Sequence, residues 1–275
     1  MLKYKIGEVS QILGIPIDTL RYYERRGIVA PQKDEETGYR YYDAWDFNFL
    51  IDSKWHRSFE FSLTDVEKMI NEDDHAAFVD RCIKHEAELL HKIHEYQQKL
   101  KALVAHRQRI SRLKSELGSL EITESPAIIF QRLRHEYKFI SGDENLSSVR
   151  KWFSLMPYVN HTFAISEHAD YKGISPNDYY WGFSLSPSDA IQHGIKIAPP
   201  VEYIPPLMSI HTVFSAGGRD TFISSLQTQV IDRVLQAGYK IIGFPYGNLL
   251  VRIHEDGVFT RYFEIWVPIE KASDS

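Results

Sequence analysis

Apolar residues recur at helical spacing near the start of the chain. Ile6, Val9 and Leu13 fall on one face of a helix, and a break at residues 14–16 separates it from a second helix. The second helix is predicted to stop before Gly27, a residue that suits a left-handed cap. Two short helices joined by a tight turn indicate a helix-turn-helix, in which the second helix can lie in a DNA major groove.

The pattern between residues 28 and 72 indicates a wing and two more helices. Residues 28–42 are predicted to form a hairpin with an acidic tip at 34–38. Helices are expected at 43–59 and 62–70, and Ser62 with Asp65 resembles a capping box at the start of the second. Residues 1–72 are therefore predicted to be a winged helix-turn-helix domain.

A long apolar seam without Gly or Pro extends from about residue 74 to residue 117. Its steps of three and four residues predict one long helix, which pairs with a second copy as a coiled coil over residues 73–118. A single helix packed on its own domain is the alternative. The seam consists of Val79, Cys82, Leu89, Ile93, Tyr96, Leu100, Leu103, Ile110 and Leu117.

From residue 119 the pattern changes to short aromatic and β-branched runs between two helical stretches. The first set is a strand at 127–133, a helix at 144–156 and strands at 162–166 and 179–185. The second set is a strand at 207–214, a helix at 220–236 and strands at 249–254 and 260–269. Each set has the order strand, helix, strand, strand, which indicates a diverged duplication. Residues 119–275 are predicted to form an α+β domain with an antiparallel sheet and both helices on one face.

Composition favours an intracellular protein without disulfides. The chain has 275 residues, a net charge of −5 and one cysteine, Cys82. No apolar run approaches the ~18 residues that span a bilayer, so we expect a cytoplasmic protein. Residues 1–71 carry ten Lys/Arg and twelve Asp/Glu. Binding to DNA would therefore depend on a local group of cations rather than on overall charge.

Such a group is present where Arg and Tyr occur together. Residues 19–24 (TLRYYE) lie in the second predicted helix, and residues 38–42 (GYRYY) lie in the wing. Guanidinium and phenol groups both donate hydrogen bonds to phosphate oxygens. The two runs therefore predict a DNA-binding surface.

The last predicted strand carries an acid among aromatic residues. Strand alternation places Tyr262, Glu264 and Trp266 on the face opposite Phe263 and Ile265. A carboxylate beside two aromatic rings could receive an apolar cation through charge and cation–π contact. Two alternatives remain open, in which Glu264 pairs with an arginine such as Arg252 or faces water.

Other aromatic residues could complete a ligand-binding box around Glu264. They are Trp152, Tyr179, Tyr180, Trp181, Phe183 and Tyr246. Tyr180 lies on the opposite face of the predicted strand from Tyr179, Trp181 and Phe183. The sequence therefore leaves open which face of strand 179–185 lines the pocket. The twelve histidines are scattered without metal-ligand spacing, and no nucleophile motif stands out. We therefore expect no metal, no cofactor and no catalytic residue.

Residues 4–70 resemble the DNA-binding domain of the MerR family of transcription regulators. The matching runs are 6–9 (IGEV), 19–24 (TLRYYE), 27–28 (GI) and 38–42 (GYRYY). The long helix is similar to the antiparallel dimerisation coil of that family, and residues 121–272 are similar to a GyrI-like effector-binding domain. The nearest arrangement is the multidrug-sensing BmrR subgroup.

The resemblance implies a mechanism and a set of contacts. Family members bind as homodimers to a promoter whose spacer is too long. On binding an effector, they bend and untwist the DNA so that RNA polymerase reads both promoter elements. The effector of this subgroup is a lipophilic cationic or aromatic compound, and the target is a multidrug-resistance gene. Residues matching the family's DNA contacts are Arg21, Tyr22, Tyr39 and Arg40, with Tyr41 and Arg57 as weaker candidates.

Two departures and two alternatives accompany this resemblance. A single cysteine excludes the ligand sets of the family's metal and redox sensors. The subgroup carries a second pocket acid early in the penultimate strand, where this chain reads Tyr246-Gly247-Asn248 and has no acid. One alternative is a GyrI-like small-molecule hydrolase with Glu264 as general base, fused to a DNA-binding head. The other is a DNA-bending protein with a vestigial pocket.

Overall fold

The computed structural model describes residues 2–135, 138–218, 220–255 and 257–271. The chain forms two compact units, Met1–Tyr96 and Gln97–Ser275. The boundary between them lies within the long helix α5, His75–Glu116. Each unit is described by itself below.

The first unit begins with the predicted helix-turn-helix and wing. Its elements before α5 are β1 Tyr4–Lys5, α1 Ile6–Leu13, α2 Ile17–Arg25, β2 Gln32–Lys33, β3 Arg40–Tyr42, α3 Ala44–Ser58 and α4 Leu63–Asn71. Among the described residues, the strands form a sheet in the order β1-β3-β2. Val9, Leu20, Tyr23 and Tyr42 are buried in one apolar cluster, which joins both helices to the wing. Gly27 has φ of 68°, as its predicted role as a cap requires.

Side-chain caps and one arginine fix the later helices of this unit. The Asp43 carboxylate accepts from the backbone N–H groups of Trp45 and Asp46 at the start of α3. Ser62 accepts from the backbone N–H of Asp65 at the start of α4, where the sequence predicts a cap. Arg81 of α5 donates to the Asp73 carboxylate over 2.7 and 2.9 Å. It also donates to Asp65 over 2.9 Å, so the amino end of α5 is bonded to α4.

The second unit contains the end of α5 and an antiparallel sheet. Its elements are β4 Glu121–Glu124, β5 Ile128–His135, β6 Lys138–Phe139, α6 Asp143–Ser154, β7 Asn160–Ile165, β8 Tyr179–Leu185, α7 Pro187–Gln192, β9 Val201–Ile204, β10 Met208–Ala216, α8 Phe222–Leu226, α9 Asp232–Gln236, β11 Tyr239–Ile241, β12 Tyr246–Glu255 and β13 Val258–Lys271. A π-helical turn, Gln227–Ile231, joins α8 to α9. Among the described residues, the strand order is β4-β10-β13-β12-β7-β8-β5-β6, with β11 beside β13 and β9 beside β5.

The predicted strands and helices of this unit are present in the predicted order. The sequence analysis missed β4, β6, β9, β11 and α7, which are two to six residues long. It also predicted one uninterrupted helix at 220–236, where the structure has the π-helical turn. Elements of two to six residues are too short to show a hydrophobic period in the sequence.

The two faces of the sheet are covered differently. On one face, Trp181 packs in a cluster with Phe222 of α8, and Phe183 packs in a cluster with Trp152 of α6. Both helices therefore cover the same face, as predicted. On the opposite face, Leu113 near the end of α5 packs against Val213, Leu250 and Tyr262. This second face carries Glu264.

Candidate functional site

The helix α2 presents an arginine and a tyrosine outward. Leu20 and Tyr23 are buried and fix the orientation of the helix, so Arg21 and Tyr22 between them are exposed. The Arg25 guanidinium lies 5.5 Å from the Tyr22 ring centroid. In the wing, Tyr39 is 58% exposed. These side chains are therefore exposed at the surface of the first unit.

Glu24 joins α2 to the wing. Its carboxylate accepts from Arg40 Nε of β3 and lies 3.1 Å from Lys33 Nζ of β2. Burial opposes ionisation of Glu24, but the hydrogen bonds and charges of Arg40 and Lys33 outweigh it and lower its pKa. The bond places the wing arginine beside the helix that carries Arg21. Arg40 is thus both a proposed DNA contact and a structural link.

The two weaker DNA-contact candidates, Tyr41 and Arg57, make contacts within the first unit. Tyr41 is half-buried and pairs in register with Lys5 and with Gln32. The Arg57 guanidinium donates to the backbone carbonyl of Phe61 after the end of α3. Both residues therefore already have structural roles within the unit.

In the second unit, Glu264 belongs to a buried polar row across three strands. Glu264 is 6% exposed and lies in register with Asn248, which in turn lies in register with Thr162. Asn248 Nδ2 donates to Glu264 Oε1 over 2.8 Å. Asn248 Oδ1 accepts from Thr162 Oγ1 over 2.7 Å, and this hydroxyl contacts Ser184 Oγ at 2.6 Å. The row supplies hydrogen bonds that a buried carboxylate requires.

The partner of Glu264 is an arginine from the long helix. Arg109 of α5 places Nη2 against Glu264 Oε1, and its Nη1 lies 3.4 Å from Asn160 Oδ1. The sequence analysis left a pairing with Arg252 open, and that choice of arginine is wrong. In the sheet, Arg252 lies opposite Arg261 beyond a bulge at Leu249 and Val251. Arg109 was missed because it lies more than 150 residues away in the chain, outside the apolar seam.

Aromatic residues form a second row on the same face as Glu264. Trp266 lies in register with Tyr246, and their ring centroids are 5.5 Å apart. His211 lies on the other side of Trp266, at 5.0 Å between centroids. Tyr180 continues this row beyond Ala164, with the Arg132 guanidinium 4.0 Å from its ring. The hydroxyl of the buried Tyr246 donates to the carbonyl of Pro126, and burial raises the pKa of Tyr246.

The structure separates the remaining predicted pocket residues from Glu264. Tyr179 and Trp181 pack with Phe222 on the helix-covered face, while Phe183 packs with Trp152 beneath α6. Strand alternation thus resolves the question left open by the sequence, since Tyr180 alone of this strand's aromatics shares the face of Glu264. The predicted pocket residues that share the face of Glu264 are therefore Tyr262, Trp266, Tyr246 and Tyr180.

A cavity of about 760 Å³ lies beside Arg109. It is bounded by α5, by the segment after α6, by β12 and by α7. Its lining residues are Gln98, Lys99, Lys101, Ala102, Leu103, Ala105, His106, Arg109, Met156, Pro157, Tyr158, Val159, Asn160, His161, Asp189, Leu249 and Leu250. Arg109 is therefore shared between the cavity and the buried ion pair.

The described residues hold neither a metal-ligand cluster nor a helix that could span a membrane. Within that part of the chain, no group of three His, Cys, Asp or Glu could hold a metal ion. Cys82 is half-buried and packs beside the cluster of Phe61, Val66 and Met69. Nor do the helices in the described ranges include one long and apolar enough to cross a membrane.

Comparison with known proteins identifies the amino-terminal segment. Residues 5–42 match the family model described as MerR family regulatory protein. The mercuric resistance operon regulatory protein of Bacillus cereus is 32% identical over 69 residues, covering 25% of this chain and 52% of that protein. The transcriptional regulator CueR of Escherichia coli is 27% identical over 127 residues, covering 45% of this chain and 90% of that protein.

Two further similar proteins are longer than the relatives just described. The transcriptional activator TipA of Streptomyces coelicolor is 28% identical over 89 residues, covering 32% of this chain and 34% of that protein. The cryo-EM structure of an EcmrR–DNA complex aligns with 98% of this chain and all of that chain, at 17% identity and a TM-score of 0.35. This chain spans about half the length of the Bacillus cereus relative. The family-model match at residues 5–42 covers α1, α2 and the wing, so the similarity to MerR family regulatory proteins lies in the first unit.

Proposed function

We propose that this protein is a ligand-responsive transcription regulator that binds promoter DNA as a homodimer. One observation carries the proposal. The segment that matches the MerR family coincides with the surface where α2 and the wing expose Arg21, Tyr22 and Tyr39. The curated relatives described above are named as transcription regulators, which supports the same function.

The exposed seam of α5 supports the homodimer. Val79, Ile93, Tyr96, Leu100 and Leu103 are each between 42% and 69% exposed. An apolar stripe of this length on a charged helix is typical of a coiled-coil interface, because a partner helix would remove it from water. We therefore assign residues 73–118 as an antiparallel dimerisation coil, between a DNA-binding domain at 1–72 and an effector domain at 119–275.

The strand order supports assigning residues 119–275 as a GyrI-like domain with a duplicated βαββ unit. In the first half, β8 lies between β5 and β7. In the second half, β13 lies between β10 and β12 in the same manner. The two halves meet where β7 pairs with β12. Each half thus places its last strand between its first two, which is what a duplication would produce.

We assign the ligand site to Glu264 and the aromatic residues on its face. A lipophilic cation would gain charge attraction from Glu264 and cation–π contact with Trp266 or Tyr246. The bound ligand would then favour a state in which the dimer bends and untwists an over-long promoter spacer, so that RNA polymerase transcribes a multidrug-resistance gene. Distorting DNA costs several kcal/mol, within reach of a ligand-driven population shift.

The hydrolase alternative is less well supported. A general base needs a carboxylate that is free to take a proton from water. Glu264 instead accepts a hydrogen bond from Asn248 and forms an ion pair with Arg109, and both interactions favour the carboxylate over the protonated acid. We therefore retain the regulator as the proposed function.

A DNA-binding experiment tests the proposal. A duplex is first selected from a random library with the full chain, and its affinity is then measured by fluorescence anisotropy. Arg21→Ala should weaken binding by about tenfold, the effect of losing one charge-assisted contact. Lys54→Ala removes an equal charge from an exposed position on α3 and serves as the matched control. Equal affinities of the wild type and Arg21→Ala would contradict the assigned surface.

A further inference from the structure

We propose that Arg109 is a built-in cation of the Glu264 site, and that an external cation binds there by displacing it. This inference rests on the proposed function, because it concerns the same ligand site. It adds a mechanism by which the site communicates with the long helix.

The position expected for a ligand's cation is already filled. The Arg109 guanidinium contacts Glu264 Oε1, the same oxygen to which Asn248 donates. The side chain of Glu264 is 8% exposed and that of Arg109 is 31% exposed. Solvent therefore hardly reaches the side chain of Glu264, whereas it reaches part of the side chain of Arg109.

A second cation cannot join this pair without a cost. Together, Arg109 and Glu264 carry no net charge, so an added cation would meet repulsion from Arg109 that offsets its attraction to Glu264. Two cations would also compete for one carboxylate in a poorly solvated place. Binding at Glu264 is therefore favourable only when the guanidinium leaves.

The adjacent cavity gives the ligand a route to the pair. Arg109 lines the cavity of about 760 Å³, whereas Glu264 lies behind it. Leu103, Met156 and Leu249 provide apolar lining for the body of a ligand. A lipophilic cation in the cavity would first contact Arg109, and it would reach Glu264 once Arg109 has moved.

Displacement would loosen the end of α5. Among the described residues, several contacts hold this end to the sheet. They include the contacts of Arg109 with Glu264 and Asn160, the packing of Leu113, the 2.8 Å bond from Gly118 N to Val213 O and the 2.7 Å bond from Arg233 Nη1 to Gly118 O. Arg109 lies nearest to the amino end among these residues of the helix and its end. Its release would free the preceding turns of the helix, which continues into the DNA-binding unit.

Calorimetric titration with tetraphenylphosphonium tests the competition. In the full chain, Arg109→Met should bind this cation about tenfold more tightly than the wild type, because the internal competitor is removed. Arg109→Lys should bind like the wild type, since it keeps the competing charge. The double variant Arg109→Met with Glu264→Gln has no buried charge and should bind weakly.

Hydrogen exchange on the wild type provides a second readout that needs no variant. Tetraphenylphosphonium should accelerate amide exchange in residues 97–108, with no such change in residues 127–133 of the sheet. The displacement mechanism is overturned if Glu264→Gln weakens binding but Arg109→Met does not strengthen it, or if exchange in 97–108 is unchanged by saturating cation. If the wild type and Glu264→Gln bind equally, the ligand site itself is wrong, and the proposal fails with it.

Discussion

Asn248 donates its side-chain amide to Glu264 Oε1 over 2.8 Å, from the neighbouring strand of the sheet. The multidrug-sensing subgroup that the sequence resembles has a second acid in this region, and this chain has an amide near that position. An amide donor stabilises the ionised carboxylate rather than repelling it. The proposed site therefore has Glu264 as its one acid on these two strands, and in the proposed function cation recognition would depend on it.

Replacing this acid should weaken ligand binding. Glu264→Gln keeps the shape of the side chain but removes the charge that attracts a cation. We expect about tenfold weaker binding of tetraphenylphosphonium, corresponding to about 1.4 kcal/mol. Isothermal titration calorimetry measures this, with Glu124→Gln on the exposed surface of β4 as the matched control. An unchanged affinity in Glu264→Gln would remove the residue from the site.

Arg40 should contribute to DNA affinity without contributing to sequence choice. Its place in the wing predicts a phosphate contact, so Arg40→Ala should weaken binding to the selected duplex and to random DNA alike. The slope of log affinity against log salt should become shallower by about one unit. Anisotropy titrations at several salt concentrations measure both, with Lys54→Ala as control. A loss confined to one base position would instead indicate base recognition.

The apolar seam should control the oligomeric state. Leu100 is 61% exposed in the single chain, and a charge there would have to be buried in the coiled coil. We expect Leu100→Glu to raise the dimer dissociation constant by about a hundredfold or more, since both copies carry the change. Sedimentation equilibrium measures this constant. His94→Glu adds a charge to the same helix outside the seam and should leave the dimer intact.

The half-buried His161 predicts a pH dependence of stability. Burial, together with the charges of Arg252 and Arg134, lowers the pKa of His161 to about 4. The unfolded chain takes up a proton at the ordinary pKa of about 6.5, whereas the folded chain takes it up only near pH 4. The contribution of His161 to the free energy of unfolding is therefore fully present above pH ~6.5 and is lost as the pH falls from about 6.5 to about 4. Between pH 7 and 5 the loss from this group should be about 2 kcal/mol.

The variant His161→Gln isolates this effect. It removes the titrating ring, so its stability should decrease less than that of the wild type between pH 7 and 5. Urea unfolding followed by circular dichroism at both pH values measures the difference. Parallel decreases in the two proteins would show that His161 is not the group responsible.

The elements with a clear period could be predicted from the sequence. The face of α1 with Val9, the cap at Gly27 and the alternation around Glu264 each follow from local spacing, and the structure agrees with all three. The first helix and the long helix begin and end within a residue of the predicted bounds. Local chemistry was sufficient in these places.

The contents of the ligand site could not be predicted in the same way. Arg109 reaches Glu264 only because the end of α5 packs on the sheet through Leu113, and no local pattern specifies that contact. The face of strand 179–185 was ambiguous because aromatic residues occupy both of its faces. Pairing with β7 and β5 decided that Tyr180 faces the site and that Trp181 does not. Pairings between strands that are distant in the chain cannot be predicted from the spacing of residues within one strand.

The central claim of the proposed function is that a ligand in the carboxyl-terminal unit changes the shape of the DNA bound by the amino-terminal unit. Fluorescence energy transfer between dyes at the two ends of the selected duplex measures this directly, with the full chain bound. Saturating tetraphenylphosphonium should change the end-to-end distance with the wild type and leave it unchanged with Glu264→Gln. An identical distance with and without the cation, in a wild-type complex shown to bind it, would contradict the account.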